Sequence, residues 1–374
     1  VASALSIAGG VAASSSVVVR PGDVGTSWLA GFRPGGALSF VTGPSTAPLG
    51  VGSLQFTTAD VHASAHLFNY SYVGTPLASL DAISYSSYRA STSTNPPTQT
   101  IALALEVNVN GPDTAPLYAT LVFEPDYQSG GNAAMKTDVW QTWDAYQGGN
   151  AIWWATKDIP GAPNAFNSFV KWSTILAANP QATIVGGIGP FVGSGWAGQF
   201  TGAADALRIG VTGNTTTYDF EPAGALIVTA PDATRVQGDA NPAFTPTYAG
   251  FAYGDTTASL TTQATCTTTA TTGSPVGAYP ITCSGAVSAN YSISYVPGTL
   301  NVVAATVEPT VRPTILVGGA TATPARAATP PPTSTDGRSE NGGDATPLFA
   351  LLIGLACGSL GLLTVETRRR RLRG

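Results

Sequence analysis

The stretch IALALEVNVNGPDTAPLYATLVFEP, residues 101–125, decides the fold. Ile101, Leu103, Leu105, Val107 and Val109 alternate with smaller or polar residues. Leu117, Ala119, Leu121 and Phe123 do the same beyond an Asn-Gly turn region. Side chains two apart lie on one face of a strand, so the arms form a hairpin with one buried side. With the loop centred near Asp113, Glu124 falls opposite Ala102. Glu106 then sits four positions along the sheet, about 13 Å away at ~3.3 Å per residue. Glycoside hydrolysis needs two carboxylates about 5–10 Å apart, so this pair is too widely spaced.

Outward from the hairpin the same pattern recurs. Strands are expected at GALSFVTGP, GSLQFTT, ISYSSYRA, ATIVGGIG and ALRIGVTGNTTTYDFEP. Seven or more short strands separated by turns imply an all-β sandwich or jelly roll over residues 20–222. AFNSFVKWSTILAANP, residues 165–180, reads as a helix by its spacing of Phe166, Phe169, Val170, Ile175 and Leu176. A strand followed by a loop is the alternative.

Several head segments, GGALSFVTGPSTAPLGVGSLQF, VWQTWDA, WAGQFTGAADALRIGV and TTTYDFEP, resemble a region recurring in exported bacterial proteins. They are similar in style to concanavalin-like and carbohydrate-binding-module sandwiches. The resemblance implies the fold class and assigns no functional residue. The Glu-x-Asp-x-x-Glu motif of concanavalin-like glycosidases is absent from the chain, and no catalytic residue is expected.

Residues 223–303 form a second module. GALIVTAPDATRVQGDANPAFTPTYAGFAYGDTTASL and TTGSPVGAYPITCSGAVSANYSISYVPGTLNVV resemble the MBG domain of bacterial surface proteins. Gln237 stands where the family's YGDxNP turn usually has tyrosine. The resemblance implies a small β-rich surface module, usually a spacer. Asp239, Asn241-Pro242 and Gly254-Asp255 supply its turns. Cys266 and Cys283 lie in this module with sixteen residues between them, and in an exported protein they read as a disulfide.

The remaining chain reads as display machinery. Residues 304–346 are a Pro/Thr-rich linker that would span roughly 35–40 Å as a flexible coil. Within the span at 347–365, Leu348–Val365 is an uncharged apolar run long enough to cross a bilayer. The tail at 366–374 carries Arg368, Arg369, Arg370, Arg371 and Arg373, which places it in the cytoplasm and the ectodomain outside. The layout resembles C-terminal anchors of bacterial surface proteins. Residues 1–19, with VAA at Val11–Ala13, read as the remainder of a secretory signal, or alternatively as an N-terminal strand with a flexible tail.

The formal net charge is −5, and residues 1–345 alone hold eleven Lys/Arg against twenty Asp/Glu. An acidic ectodomain lacks the clustered cations that nucleic acid requires. The two histidines, His62 and His66, find no third ligand nearby in sequence and are assigned to surface or packing roles. Asp219 and Glu221 are too few for a calcium site, so neither metal nor cofactor is expected. The expected partners are an extracellular glycan or surface protein, and the lipid bilayer through the C-terminal span. Trp140, Trp143, Trp153, Trp154 and Trp196 cluster in sequence, and aromatic faces stack on sugar rings. Adjacent Trp153 and Trp154 point to opposite faces of a strand, one inward and one outward. Asp144, Gln147 and Asn150 are the candidate hydrogen-bonding groups beside them.

Overall fold

The computed structural model describes residues 13–112, 115–128, 135–164, 168–193, 195 and 197–306. The expected linker from 307 onward, membrane span and arginine cluster, the VA of the cleavage-like VAA, Phe166 and Trp196 lie outside the described residues. Among the described residues no helix is long and apolar enough to cross a membrane.

Among the described residues the head contains fourteen strands. In chain order they are β1 (Ser14–Val19), β2 (Trp28–Arg33), β3 (Gly36–Thr42), β4 (Gly52–Thr58), β5 (Ser64–Asn69), β6 (Leu80–Arg89) and β7 (Ala102–Asn108). There follow β8 (Tyr118–Phe123), β9 (Trp140–Asp144), β10 (Ile152–Ala155), β11 (Val170–Lys171), β12 (Thr183–Val192), β13 (Phe200–Val211) and β14 (Asn214–Phe220). One sheet runs β11-β10-β8-β7-β12-β5-β2. The other is built on β13, which pairs with β6 along one edge. On its other edge β13 pairs first with β4 and then with β14. Strands β3, β1 and β9 extend this sheet from β4, β14 and β6 respectively.

The hairpin forms in the expected register, with Leu103 opposite Phe123 and Glu106 opposite Thr120. Its inward residues, Leu103, Leu105, Val107, Leu121 and Phe123, are fully buried in the core between the sheets. Burying a side chain of this size contributes about 1.5–3 kcal/mol, and this row is the main reason the two layers close on each other. The described part of the ambiguous segment, 168–180, contains strand β11 and a helix, α1 (Trp172–Ala178), which buries Trp172 and Ile175. Ser14–Val19, within the segment read as a signal remainder, is strand β1 of the head, parallel to β14. Its Val17 and Val19 share one face, with Val17 exposed and Val19 buried in the head's core.

Where β13 changes partner from β4 to β14, Asp205 accepts hydrogen bonds from the N–H groups of Leu49 and Phe220, at 2.9 and 3.1 Å. The carboxylate thus satisfies backbone donors that the fork in the sheet leaves without ladder partners. Nearby, Glu221 accepts from the N–H groups of Val51 and Gly52.

The second module has two small sheets. Strands β15 (Gly224–Thr229), β17 (Thr247–Ala249) and β20 (Tyr291–Val296) form one, in the order β17-β15-β20. Strands β16 (Ala233–Val236), β18 (Thr265–Thr268), β19 (Gly277–Ser284) and β21 (Gly298–Val303) form the other, in the order β16-β21-β19-β18. Cys266 and Cys283 lie directly opposite each other on β18 and β19 and are joined as a disulfide. The Asn241 side chain accepts from Arg235 Nε at 2.7 Å and donates to the carbonyl of Ala270 at 2.7 Å, which fixes the Gly-Asp-Ala-Asn-Pro turn. The module meets the head through an ion pair between Arg20 and Asp255 at 2.5 Å, with Tyr291 donating to the same carboxylate at 2.8 Å.

Candidate functional site

The outward face of the β11-to-β2 sheet carries an apolar group separate from the core: Phe68, Ala102, Ala104 and Val122, flanked by Tyr70, Trp154 and Phe191. Strand alternation creates it. The residues between the buried leucines of β7 and β8 point outward, and neighbouring strands bring their own outward residues into line. Gly31, His66, Phe191 and Ala102 form one cross-strand row. Ala104, Val122 and Trp154 form the next.

These residues surround a cavity of about 550 Å³, a size suited to a small ligand. Its floor is Ala104 and Val122, and its aromatic walls are Trp154, Phe191, Phe68 and His66. Its polar groups are Glu124, Arg33, Gln99, Thr120 and Thr156. The His66 and Phe68 rings stack at 4.2 Å. Gly31 leaves the space in which the His66 ring lies, since a Cβ there would collide with the imidazole.

Trp153 and Trp154 divide as the alternation requires. Trp153 is fully buried, packed on Phe123 and Trp172 with centroids at 5.6 and 5.2 Å, and its Nε1 donates to the carbonyl of Ala145. Trp154 is half-buried at the cavity wall, and its Nε1 donates to Glu124 Oε1 at 3.3 Å. The other three candidates do not line this cavity. Asp144 accepts from the N–H groups of Tyr146 and Gln147, and Asn150 donates to the carbonyl of Gln147. Their polar groups close the left-handed turn at Gln147–Gly149. Asp144 ends β9, in the opposite sheet, and lines a different cavity with Asp81 and Arg208.

Burial, reinforced by the nearby Asp126, raises the Glu124 carboxyl to about 7, while the Trp154 hydrogen bond acts the other way. Burial raises Asp126 to about 6. Burial also lowers the His66 pKa, partly countered by Glu106, so the imidazole is neutral at pH 7. Glu106 is held by Tyr70 Oη at 3.3 Å and the Gly187 N–H at 3.0 Å. The observed register keeps Glu106 and Glu124 four positions apart, about 13 Å along the sheet, beyond the spacing for glycoside hydrolysis.

Among the described residues no group of three His, Cys, Asp or Glu side chains is arranged to hold a metal ion. Asp205 nevertheless joins Asp219 and Glu221 as a third, unanticipated carboxylate. Burial and the charges of Glu221 and Asp205 raise Asp219 to about 7, and burial raises Asp205 to about 6.

His66, Phe68, Phe191, Arg33 and Gln99 were not legible as site residues. They lie on four different segments, and the strand order that gathers them is non-local. The outward alternation of His66 and Phe68 was the one available signal.

Residues 226–301 match the family model of the MBG domain (YGX type). Among solved structures the chain is similar to one described as "Structural basis for the promiscuous specificity of the carbohydrate-binding modules from the beta-sandwich super family". The identity is 15%, the TM-score 0.25, and the match covers 49% of this chain and 56% of that one. A TM-score this low leaves the fold assignment to the observed strands and core. No curated protein sequence matches the chain.

Proposed function

We propose that this is a bacterial cell-surface protein whose β-sandwich head binds carbohydrate in the cavity beside Trp154. The MBG-type module, the linker at 304–346 and the membrane span at 347–365 hold that head away from the cell. The observation that carries the reading is the aromatic wall of Trp154, Phe191, Phe68 and His66 around a floor of small side chains, with Glu124, Arg33 and Gln99 in the same cavity. Apolar sugar faces stack on aromatic rings, and sugar hydroxyls need a few placed polar partners. Core packing does not require this aromatic group, because the sandwich interior is filled from the other face of the same strands.

A glycan array probed with the purified protein tests the reading. Binding to a defined subset of glycans, weakened by Trp154→Ala, is the expected result. A silent array would leave the head as a structural spacer. Display is tested separately: protease added to intact cells should release the ectodomain and leave a small membrane fragment. Full protection in right-side-out cells would refute the orientation.

A further inference from the structure

A second cavity, about 380 Å³, lies against the first and shares Thr120 and Thr156 with it. These threonines also tie the strands together at the boundary. The Thr120 N–H donates to Thr156 Oγ1 at 2.9 Å, and the Thr156 N–H donates to the carbonyl of Thr120 at 3.0 Å. Beyond them the far cavity is lined by Tyr118, Glu106, Lys157 and Gly186. Tyr118, Thr120 and Val122 occupy one face of β8, and Glu124 continues the line. The two cavities are therefore consecutive stretches along one strand direction, spanning six positions or about 20 Å.

We infer that the two cavities form one groove and that its ligand is a linear polysaccharide held along several rings, not a single terminal sugar. This rests on the carbohydrate reading of the Trp154 cavity.

Three features favour an extended chain. Trp154 pairs with Val122, and Tyr118 lies four positions further along β8, so the two aromatic platforms stand about 13 Å apart. That separation exceeds one sugar ring, and the hydroxyl-bearing Thr120 and Thr156 fill the interval. The Tyr118 side chain is 53% exposed, a ring that the core does not use. The floor of the far half is also kept clear. The register of β12 slips between Ile184 and Ile188, and Gly186 in this irregular stretch has no Cβ to collide with Glu106. Glu106 is in turn held by Tyr70 and Gly187, as a fixed acceptor at the groove edge.

The test is calorimetric titration of the protein with cello-, xylo-, manno- and chito-oligosaccharides of one to six rings. For the series that binds, affinity should rise about tenfold or more between two and six rings, the scale of one added contact site. Tyr118→Ala should weaken hexasaccharide binding about fivefold or more, leaving the disaccharide and the melting temperature unchanged. Trp154→Ala should weaken ligands of every length. Affinity that does not grow with length, or a hexasaccharide indifferent to Tyr118→Ala, would overturn the groove and leave the Trp154 site standing. Absence of binding at every length in all four series would overturn this inference together with the carbohydrate reading.

Discussion

The head and the second module are both β-sheet structures, but they are held together differently. The head closes two seven-stranded sheets on a continuous interior that includes Trp153, Trp172, Phe56, Phe123, Phe200 and Phe220. The second module has sheets of three and four strands, and its interior is two small groups, one around Val228, Ile281, Leu300 and Val302 and one of Leu226, Leu260 and Tyr291. A small domain buries a smaller fraction of its surface and needs reinforcement. The module has it in the cystine and in tyrosine hydroxyls that grip loops. Tyr248 accepts from the Ala264 N–H at 2.9 Å, and Tyr291 accepts from the Ala252 N–H at 3.0 Å. The lesson concerns surplus. The head has aromatic side chains beyond its core, and Phe68, Tyr70, Trp154 and Phe191 gather on one outward face.

The strongest challenge to this contrast is Trp153→Ala. It should destabilise the head by about 3–5 kcal/mol, the usual cost of deleting a fully buried large aromatic, and leave the module's melting transition in place. Differential scanning calorimetry of the two transitions checks it. A shift of equal size in both would show that the cores are not separate.

Cys266→Ser is the mirror experiment. Opening a cystine loop of this length should cost the module about 3 kcal/mol and spare the head. Non-reducing peptide mapping of the protein should first show the two cysteines joined.

Trp154→Ala then separates the two faces of a single strand. It should weaken glycan binding by about 1 kcal/mol or more and leave both melting temperatures unchanged, in contrast to its neighbour. A fall in head stability comparable to that of Trp153→Ala would make Trp154 a packing residue.

The smallest effect is a pH slope. In the head, Glu124 and Asp219 are raised to about 7, and Asp126 and Asp205 to about 6. Each has a folded value above its unfolded value, so between about pH 4 and 7 the folded head binds more protons than the unfolded chain. Head stability should therefore fall as pH rises through that window. Asp219→Asn, which cannot ionise, should flatten the decline. A head transition that climbs from pH 4 to 7 would contradict these burial-driven shifts. Asp255, at the junction with the module, has the opposite sign. Its hydrogen bond from Arg20 lowers its pKa, so that contact weakens as pH falls through the acid range.

What the sequence determined by itself was local. Period-two alternation placed the hairpin, its register and its buried face, because a strand's faces follow from backbone geometry alone. The same rule divided Trp153 from Trp154. The turn residues and recurring segments at 223–303 marked the second module, and the two cysteines their own pairing. Strand order was decided only in the tertiary structure. Sequence does not state that β5, β12, β7, β8 and β10 lie side by side, so it could not bring His66 and Phe191 to Trp154. For the same reason it could not bring Asp205 to Asp219 and Glu221. It also placed Asp144, Gln147 and Asn150 beside Trp154 because they are near in the chain. Folding sent β9 to the opposite sheet and closed their polar groups into a turn. Proximity along a β chain reaches about one hairpin, whereas a site on a sheet face is assembled across strands, and its members are set by the packing of the whole layer.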